Sequence, residues 1–229
     1  MNHTTKNIPT DPKNCLTDWV PVGLTNHIPR GAVVRAYIDQ FDIAIWRGED
    51  GFVRAWENRC PHRGMRLSYG FVQGNRLTCL YHGWTFGGDG ICHLIPAHPD
   101  LTPPETIHTH IYPTCETGGL IWVALASMPA PAPVIKGAWT PCRSLHFVQQ
   151  ITLAALLADS GLSSTPLTEY AVCATRKNQT QAVLAIQPMG KHGMMVHCSI
   201  ASCDHEAALH DTSRWLMTRR AKIEDTVPE

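Results

Sequence analysis

Two short segments decide how this chain folds and what it binds: Cys60-Pro61-His62 and, sixteen residues later, Cys79-Leu80-Tyr81-His82. Each segment offers one cysteine sulfur and one imidazole nitrogen, side-chain ligands that suit zinc, copper and iron. Tight loops that fold closely over a bound group need the positive φ and small size of glycine. Glycine is frequent around both segments, as Gly64, Gly70, Gly83, Gly87, Gly88 and Gly90.

The mixture of ligands favours a centre with two irons. Two cysteines on one iron and two histidines on the other hold a Rieske-type [2Fe-2S] cluster, and the histidines raise its potential above that of an all-cysteine cluster. The sequence therefore predicts that such a cluster is bound by Cys60, His62, Cys79 and His82.

Two simpler interpretations stay open for the same residues. A Cys2His2 zinc site uses the same four side chains, but it usually takes a close cysteine pair from one segment and a close histidine pair from another. Buried structural cysteines beside unrelated histidines are the other alternative, because a free cysteine is most often a small core residue. The double spacing of cysteine with histidine favours the cluster over both.

The segments lie in a longer stretch that resembles the Rieske non-haem iron oxygenases. One departure is Leu80, where the family usually has proline, and only a small change in loop stiffness is expected. The resemblance covers about the first 128 residues, and it rests on Trp19–Val22, Ile43–Trp46, Val53–Trp56, Cys60–Gly70, Cys79–Phe86, Gly87–Gly90 and Gly119–Val123.

The resemblance also indicates which kind of Rieske protein this is. Respiratory-chain Rieske proteins carry a further cysteine in each loop, and the matching positions here are Met65 and Tyr81, so that disulfide is impossible. Trp84 stands where their serine donates to a cluster sulfide. Fewer donors predict a potential toward the low end of the Rieske range, which suits an oxygenase supplied by NAD(P)H.

The composition limits which other classes of protein the chain can belong to. The chain has 229 residues, a formal net charge of zero and 44% hydrophobic residues. It has no apolar run near the roughly 20 residues that span a bilayer, and its charge balance gives no nucleic-acid signal. Met1–Asn14 lacks the apolar core of a secretory signal, and the nine cysteines are an odd number. These features predict a cytoplasmic protein without a disulfide framework.

The chain divides into two parts in this reading. Short β-branched and aromatic runs between turn residues predict an all-β Rieske domain over residues 1–128. Prolines among small residues predict a linker at 129–133. Residues 134–229 are expected to form a truncated catalytic-like domain, so the fold class is α+β. Its expected elements are an apolar stretch over 145–157, strands near 168–175, 181–187 and 194–200 with a turn at Asn178, and a helix over 204–225 with solvated basic residues.

A mononuclear iron site is harder to find. The family places an acidic residue and His-x-x-x-x-His soon after the linker, but Val148–Asp159 contains no histidine. A site rebuilt elsewhere stays an alternative, although residues five apart on a helix or a strand point in different directions. Its candidates are His192 with His197, His205 with His210, and Glu105 with His108 and His110 in the last strands of the Rieske domain.

The resemblance therefore implies a truncated α-type oxygenase subunit that keeps its cluster and has no mononuclear iron of its own. Such a subunit is expected to pair with a catalytic subunit in a trimer-based hetero-oligomer. It would relay electrons from an NAD(P)H-dependent reductase to the partner's iron during hydroxylation or oxidative demethylation. The alternatives are a self-sufficient monooxygenase with a rearranged iron site, a free Rieske ferredoxin, and a regulatory or structural subunit.

Overall fold

The computed structural model describes residues 19–175, 180–201 and 205–225. The first part of the chain forms β1 (Trp19–Leu24), β2 (Val33–Ile38), β3 (Phe41–Arg47), β4 (Val53–Glu57), β5 (Phe71–Gln73), β6 (Arg76–Thr78), β7 (Thr85–Gly87), β8 (Cys92–Leu94), β9 (Ile111–Tyr112), β10 (Thr114–Thr117) and β11 (Leu120–Ala124). The remainder forms β12 (Thr140–Phe147), α1 (Leu153–Leu157), β13 (Ser163–Thr168), β14 (Ala171–Thr175), β15 (Gln181–Pro188), β16 (Met194–Ala201) and α2 (His205–Glu224).

The first part is all-β, as predicted, and its strands form three small antiparallel sheets. Their strand orders are β1-β11-β10, β2-β3-β4-β9 and β5-β6-β7-β8. The expected strand pair is confirmed as β3 and β4, with Ile45 opposite Ala55. Gly118 and Gly119 form the two-residue turn between β10 and β11 with φ of +66° and +76°. Positive φ at both positions is what a tight hairpin turn of this hand requires.

The second part is one antiparallel sheet with the order β12-β16-β15-β14-β13, together with the two helices. The predicted helix and the strands near 181–187 and 194–200 are confirmed as α2, β15 and β16. The strand expected near 168–175 is instead the end of β13, a turn and β14. The apolar stretch 145–157 divides between the end of β12 and α1. Asn178 lies outside the described residues.

One hydrophobic cluster joins the two parts. It contains Ile38 and Ile45 from the first part together with Phe147, Leu184 and Val196 from the second, all essentially buried. Residues 125–139 connect the parts without a helix or strand. The boundary expected at 129–133 falls in this connection and stays a prediction.

Helix α2 packs against the second sheet and against α1 through Leu216, which is fully buried. The expectation of solvated basic residues is wrong for Arg219, which is only 9% exposed. Its guanidinium donates to the carbonyl oxygens of Ala155 and Leu156 at 3.0 and 3.1 Å. These carbonyls end α1 without helical partners, so Arg219 caps the short helix. Within the described ranges, neither helix is long and apolar enough to cross a membrane.

A buried histidine fixes the seam between the two parts. His197 on β16 is 3% exposed, and its ring nitrogens bond to Ser144 Oγ at 2.7 Å and to Gln187 Oε1 at 2.9 Å. Gln187 in turn donates from Nε2 to the Tyr37 carbonyl oxygen of β2 at 2.7 Å. Burial, with a smaller contribution from His27, lowers the pKa of His197 to about 3. His197 is therefore a neutral core residue with both nitrogens satisfied.

We expect His197 to make the fold sensitive to acid. The unfolded chain protonates this ring below about pH 6.5, whereas the folded chain resists protonation until the pH nears 3. Its contribution to stability is complete above the unfolded pKa and falls on acidification, by at most about 1.4 kcal/mol per pH unit. Urea denaturation of His197→Gln between about pH 7 and pH 4 should show a correspondingly weaker pH dependence than wild type. The exposed His110→Gln should keep the wild-type slope, and equal slopes for all three proteins would refute this role.

Candidate metal centre

The first predicted loop joins β4 to β5 and is closed by two backbone hydrogen bonds. The N–H of Cys60 donates to the Met65 carbonyl oxygen at 2.8 Å, and the N–H of Gly64 donates to the Cys60 carbonyl oxygen at 2.9 Å. Gly64 has a φ of +74°, a conformation that residues with a Cβ rarely adopt. The turn returns the chain over Cys60 and leaves His62 at its outer end.

The second loop joins β6 to β7 and repeats the same construction. The N–H of Cys79 donates to the Trp84 carbonyl oxygen at 2.9 Å, and the N–H of Gly83 donates to the Cys79 carbonyl oxygen at 3.1 Å. Gly83 has a φ of +70°. Each cysteine thus opens a turn in which it bonds to the fourth and fifth residues after it, with the histidine on the outer side.

The two cysteines meet at the base of the loops. Cys60 and Cys79 are each 2% exposed, and their thiols lie in hydrogen-bonding contact without forming a disulfide. Burial raises the pKa of Cys60 to about 12. The backbone N–H groups of His62 and Arg63 act in the opposite direction, because they donate to the sulfur and favour the thiolate. A metal ion, which binds the thiolate, would offset this cost of burying a charge.

The two histidines meet on the outer side. His62 Nδ1 lies 3.1 Å from His82 Nδ1, and the ring centroids are 4.7 Å apart. The Trp84 indole stacks on the His62 ring at 4.3 Å with an angle of 3°, and the Tyr81 ring stacks on His82 at 3.8 Å. Because Trp84 belongs to the second loop, its contact with His62 fastens the two loops together. His62 is half-buried and His82 is exposed.

The donor set fits a two-metal centre better than a single ion. The sequence places a cysteine with a histidine in each loop, and the fold pairs cysteine with cysteine and histidine with histidine. Two nitrogens 3.1 Å apart suit one metal at about 2.1 Å from each, with an angle of roughly 95° between them. Among the described residues, no three His, Cys, Asp or Glu side chains are placed to hold one common ion.

The cysteines are set in a small hydrophobic core that supports both loops. Its large side chains come from β3, β4 and the short strands around the loops, and the indole nitrogens of Trp46 and Trp56 have no hydrogen-bond partner among the described residues. Apolar packing therefore outweighs two unmade hydrogen bonds at this place. The core consists of Ala44, Trp46, Trp56, Cys60, Leu67, Leu77, Cys79, Phe86, Cys92 and Ile95.

A polar network anchors the first loop from outside. Asp42 accepts a bidentate pair from Arg35 at 2.8 and 2.6 Å, a bond from Asn58 Nδ2 at 2.7 Å and a bond from Arg66 Nε at 3.1 Å. Asn58 also bonds to Ser68 through both ends of its amide. Burial raises the pKa of Asp42, but these hydrogen bonds outweigh it, and the pKa is lowered. The loop is thus held at Asn58 and again at Arg66 and Ser68.

The other candidate histidines are engaged elsewhere. His197 is bonded to Ser144 and Gln187, as described above. His192 lies in a 3₁₀ turn rather than on the expected strand, and it stacks on Tyr37 at 4.3 Å. His210 Nδ1 lies 3.1 Å from the Arg214 guanidinium. The side chain of His205 lies outside the described residues.

The group near the end of the first part is also dispersed. Glu105 and His108 lie in the connection between β8 and β9 rather than in strands, and His108 Nδ1 is 3.2 Å from the Glu105 carbonyl oxygen. His110 packs edge-on against Tyr112. The acidic side chain of Glu105 is not part of this contact, which involves only its backbone.

Comparison with known proteins identifies the domain that carries the two loops. Residues 18–113 match the family model of the Rieske [2Fe-2S] domain. The chain is 44% identical over 115 residues to the oxidoreductase NdmD of Pseudomonas putida, and the matched segment covers 50% of this chain and 20% of that protein. It is 32% identical over 126 residues to the phthalate 4,5-dioxygenase oxygenase subunit of Pseudomonas putida, which covers 54% of this chain and 29% of that protein. The chain thus spans less than a third of either relative's length.

The fold extends the similarity beyond the matched domain. The solved structure of NdmA from Pseudomonas putida CBB5 superposes with a TM-score of 0.70 at 18% identity, over 92% of this chain and 81% of that one. The two loops and the domain match define a protein with a Rieske [2Fe-2S] domain, which implies a [2Fe-2S] cluster. Over the matched domain the chain is homologous to oxygenase components of the Rieske non-haem iron type. The NdmA structure, at 18% identity, adds similarity of fold alone.

The two loop glycines offer a paired test of this construction. Both have positive φ, so Gly64→Ala and Gly83→Ala should each lose about 1 kcal/mol of stability from backbone strain. A Cβ on Gly83 would also lie 2.9 Å from Cγ of the Pro96 ring, whereas a Cβ on Gly64 would meet only the flexible Arg59 side chain at 3.3 Å. We therefore expect Gly83→Ala to lower the melting temperature clearly more than Gly64→Ala. The reverse order in thermal unfolding would contradict the structure of the second loop.

Proposed function

We propose that Cys60, Cys79, His62 and His82 hold a Rieske [2Fe-2S] cluster and that the chain acts as an electron-transfer subunit of a Rieske non-haem iron oxygenase. The observation that carries this proposal is the pairing of like with like across the loops, because a Rieske cluster needs two cysteines on one iron and two histidines on the other. A cluster of this type, when bound, accepts and gives one electron at a time.

The four proposed ligands have different roles because they differ in burial. Cys60 and Cys79 hold the inner side as thiolates inside an apolar core that excludes water. His62 and His82 form the outer side, where His82 is exposed to a partner. Trp84 and Tyr81 keep the histidine rings in place by stacking on them. Electrons would therefore enter and leave by the histidine edge.

The partner that we propose is a catalytic oxygenase subunit in a trimer-based hetero-oligomer. Electrons would come from an NAD(P)H-dependent reductase and pass to the mononuclear iron of that subunit during hydroxylation or oxidative demethylation. The fold similarity to NdmA supports assembly with a protein of this architecture. The contacts of His197 support an iron outside this chain, since both of its ring nitrogens are already hydrogen-bonded.

Two lesser proposals accompany this one. Residues 134–229 would form a catalytic-like domain beyond a linker at 129–133, with the shared core holding it against the Rieske domain. A reducing cytoplasm would suit the thiols of Cys60, Cys79, Cys92, Cys115 and Cys173, which form no disulfide.

Replacement of one ligand should abolish the cluster. We expect purified wild type to contain two irons and two sulfides per chain and, when reduced with dithionite, to give a rhombic paramagnetic spectrum. Cys60→Ser and His82→Ala should lose both. Cys92→Ser is the matched control, because Cys92 is buried in the same core but belongs to neither pair. A zinc ion in place of iron, or an intact cluster in Cys60→Ser, would refute the assignment.

A reconstituted assay tests the role in catalysis. Wild type, a candidate catalytic subunit, a reductase and NAD(P)H should together couple NAD(P)H oxidation to substrate turnover, and His82→Ala should stop turnover while leaving the assembly intact. A third iron per chain with turnover by this chain and reductase alone would identify a self-sufficient monooxygenase. Undiminished turnover with His82→Ala would identify a regulatory or structural subunit.

A further inference from the structure

The surface around the histidine edge is positively charged. From Asn58 to Gly88 the chain carries four arginines and no lysine, aspartate or glutamate, although the formal net charge of the whole chain is zero. The four are Arg59, Arg63, Arg66 and Arg76. Charge is therefore separated along the chain, and the excess of positive charge coincides with the two cluster loops.

Two of these arginines lie at the loops with their charge uncompensated. Arg59 Nε lies 3.3 Å from the place that a Cβ on Gly64 would take, and both Arg59 and Arg63 are exposed. Arg63 directly follows the proposed ligand His62, and Arg59 directly precedes the proposed ligand Cys60. Among the described residues neither guanidinium has a carboxylate partner, in contrast to Arg66, which is bound to Asp42.

Exposed apolar side chains lie on the second loop, whose His82 ring meets the His62 ring of the first loop. Leu80 is 60% exposed and Tyr81 is 56% exposed, directly before His82 in the second loop. An apolar centre with a charged rim is the usual anatomy of a protein–protein interface. The charges at such a rim mainly speed association and select the sign of the partner.

We propose that this basic tip, formed by Arg59, Arg63, Leu80, Tyr81 and His82, is the docking surface for an electron-carrier protein with an acidic face. The proposal rests on the cluster assignment made above and adds the chemistry of the reducing partner. An acidic face neutralises the two free guanidinium groups, while the apolar pair brings the partner into contact with the exposed histidine. A carrier with a basic face would be repelled from the same surface.

Binding to two carriers of opposite charge tests the proposal. The cluster-loaded protein would be titrated calorimetrically with an acidic plant-type [2Fe-2S] ferredoxin and separately with cytochrome c, whose surface is basic. Only the ferredoxin should bind. Its affinity should fall about tenfold or more between 10 mM and 150 mM salt, since the screening length shortens from about 30 to about 8 Å.

Single arginine variants locate the surface. Arg59→Gln and Arg63→Gln should each weaken ferredoxin binding about threefold to tenfold at low salt and reduce its salt dependence. Arg214→Gln is the matched control, since Arg214 is an exposed arginine on α2 and should bind as wild type does. Arg59 is the more distant from His62 in sequence, so Arg59→Gln decides the question if Arg63→Gln disturbs the cluster.

The outcomes separate this proposal from the cluster assignment. Protein without the paramagnetic signature would refute the assignment itself. When the cluster is intact, any one of three results would overturn the proposal that the basic tip is the docking surface. These are that cytochrome c binds more tightly than the ferredoxin, that the ferredoxin affinity is independent of salt, or that Arg59→Gln binds the ferredoxin as Arg214→Gln does.

Discussion

The site depends on bringing two buried cysteines into contact from separate parts of the chain. Cys60 and Cys79 belong to different loops, and both lie in an apolar core where a thiolate is unfavourable. The fold meets this demand by closing each loop with the same two backbone hydrogen bonds, which pair the N–H and the carbonyl oxygen of the cysteine. Gly64 and Gly83 make the turns possible, because this closure requires positive φ at the fourth residue after each cysteine.

An electrical asymmetry follows from the same geometry. The sulfur side faces Trp46, Trp56 and Phe86, and the imidazole side faces solvent and arginine side chains. A change in the charge of a group bound between the loops is therefore little screened on the sulfur side and well screened on the imidazole side. The stacking of Trp84 on His62 also means that the second loop positions a ligand of the first, so neither loop can move without the other.

The site could be predicted from the sequence because its chemistry is local, and its ligand set stays a prediction. The four ligand side chains and the surrounding glycines lie within the 31 residues from Cys60 to Gly90, and the types of the ligands restrict the metal. Elements set by distant contacts were predicted poorly. β13 was not predicted as a separate strand. It contains Pro166, and proline is tolerated on the edge strand that β13 occupies. β12 carries few large apolar residues, and Arg143 on it bonds to Ser213 of α2. Arg219 is buried only because α1 offers it unpaired carbonyls.

Which polar residue would anchor the first loop was equally beyond the sequence, because Asp42 lies on β3 and acts through tertiary contacts. These contacts link the second sheet to the metal centre. Gln187 on β15 bonds to the Tyr37 backbone, and the Arg35 guanidinium lies 4.4 Å above the Tyr37 ring while it bonds to Asp42.

Asp42 then holds Arg66 and Asn58, at the two ends of the first loop. Apart from the exposed Arg66, the members of this series are half-buried or buried, so their bonds are less screened than surface ion pairs. The second part of the chain therefore does more than extend the fold. Through β2 and β3 it supports the hairpin on which the first cluster loop is anchored, and the position of His62 depends on that support.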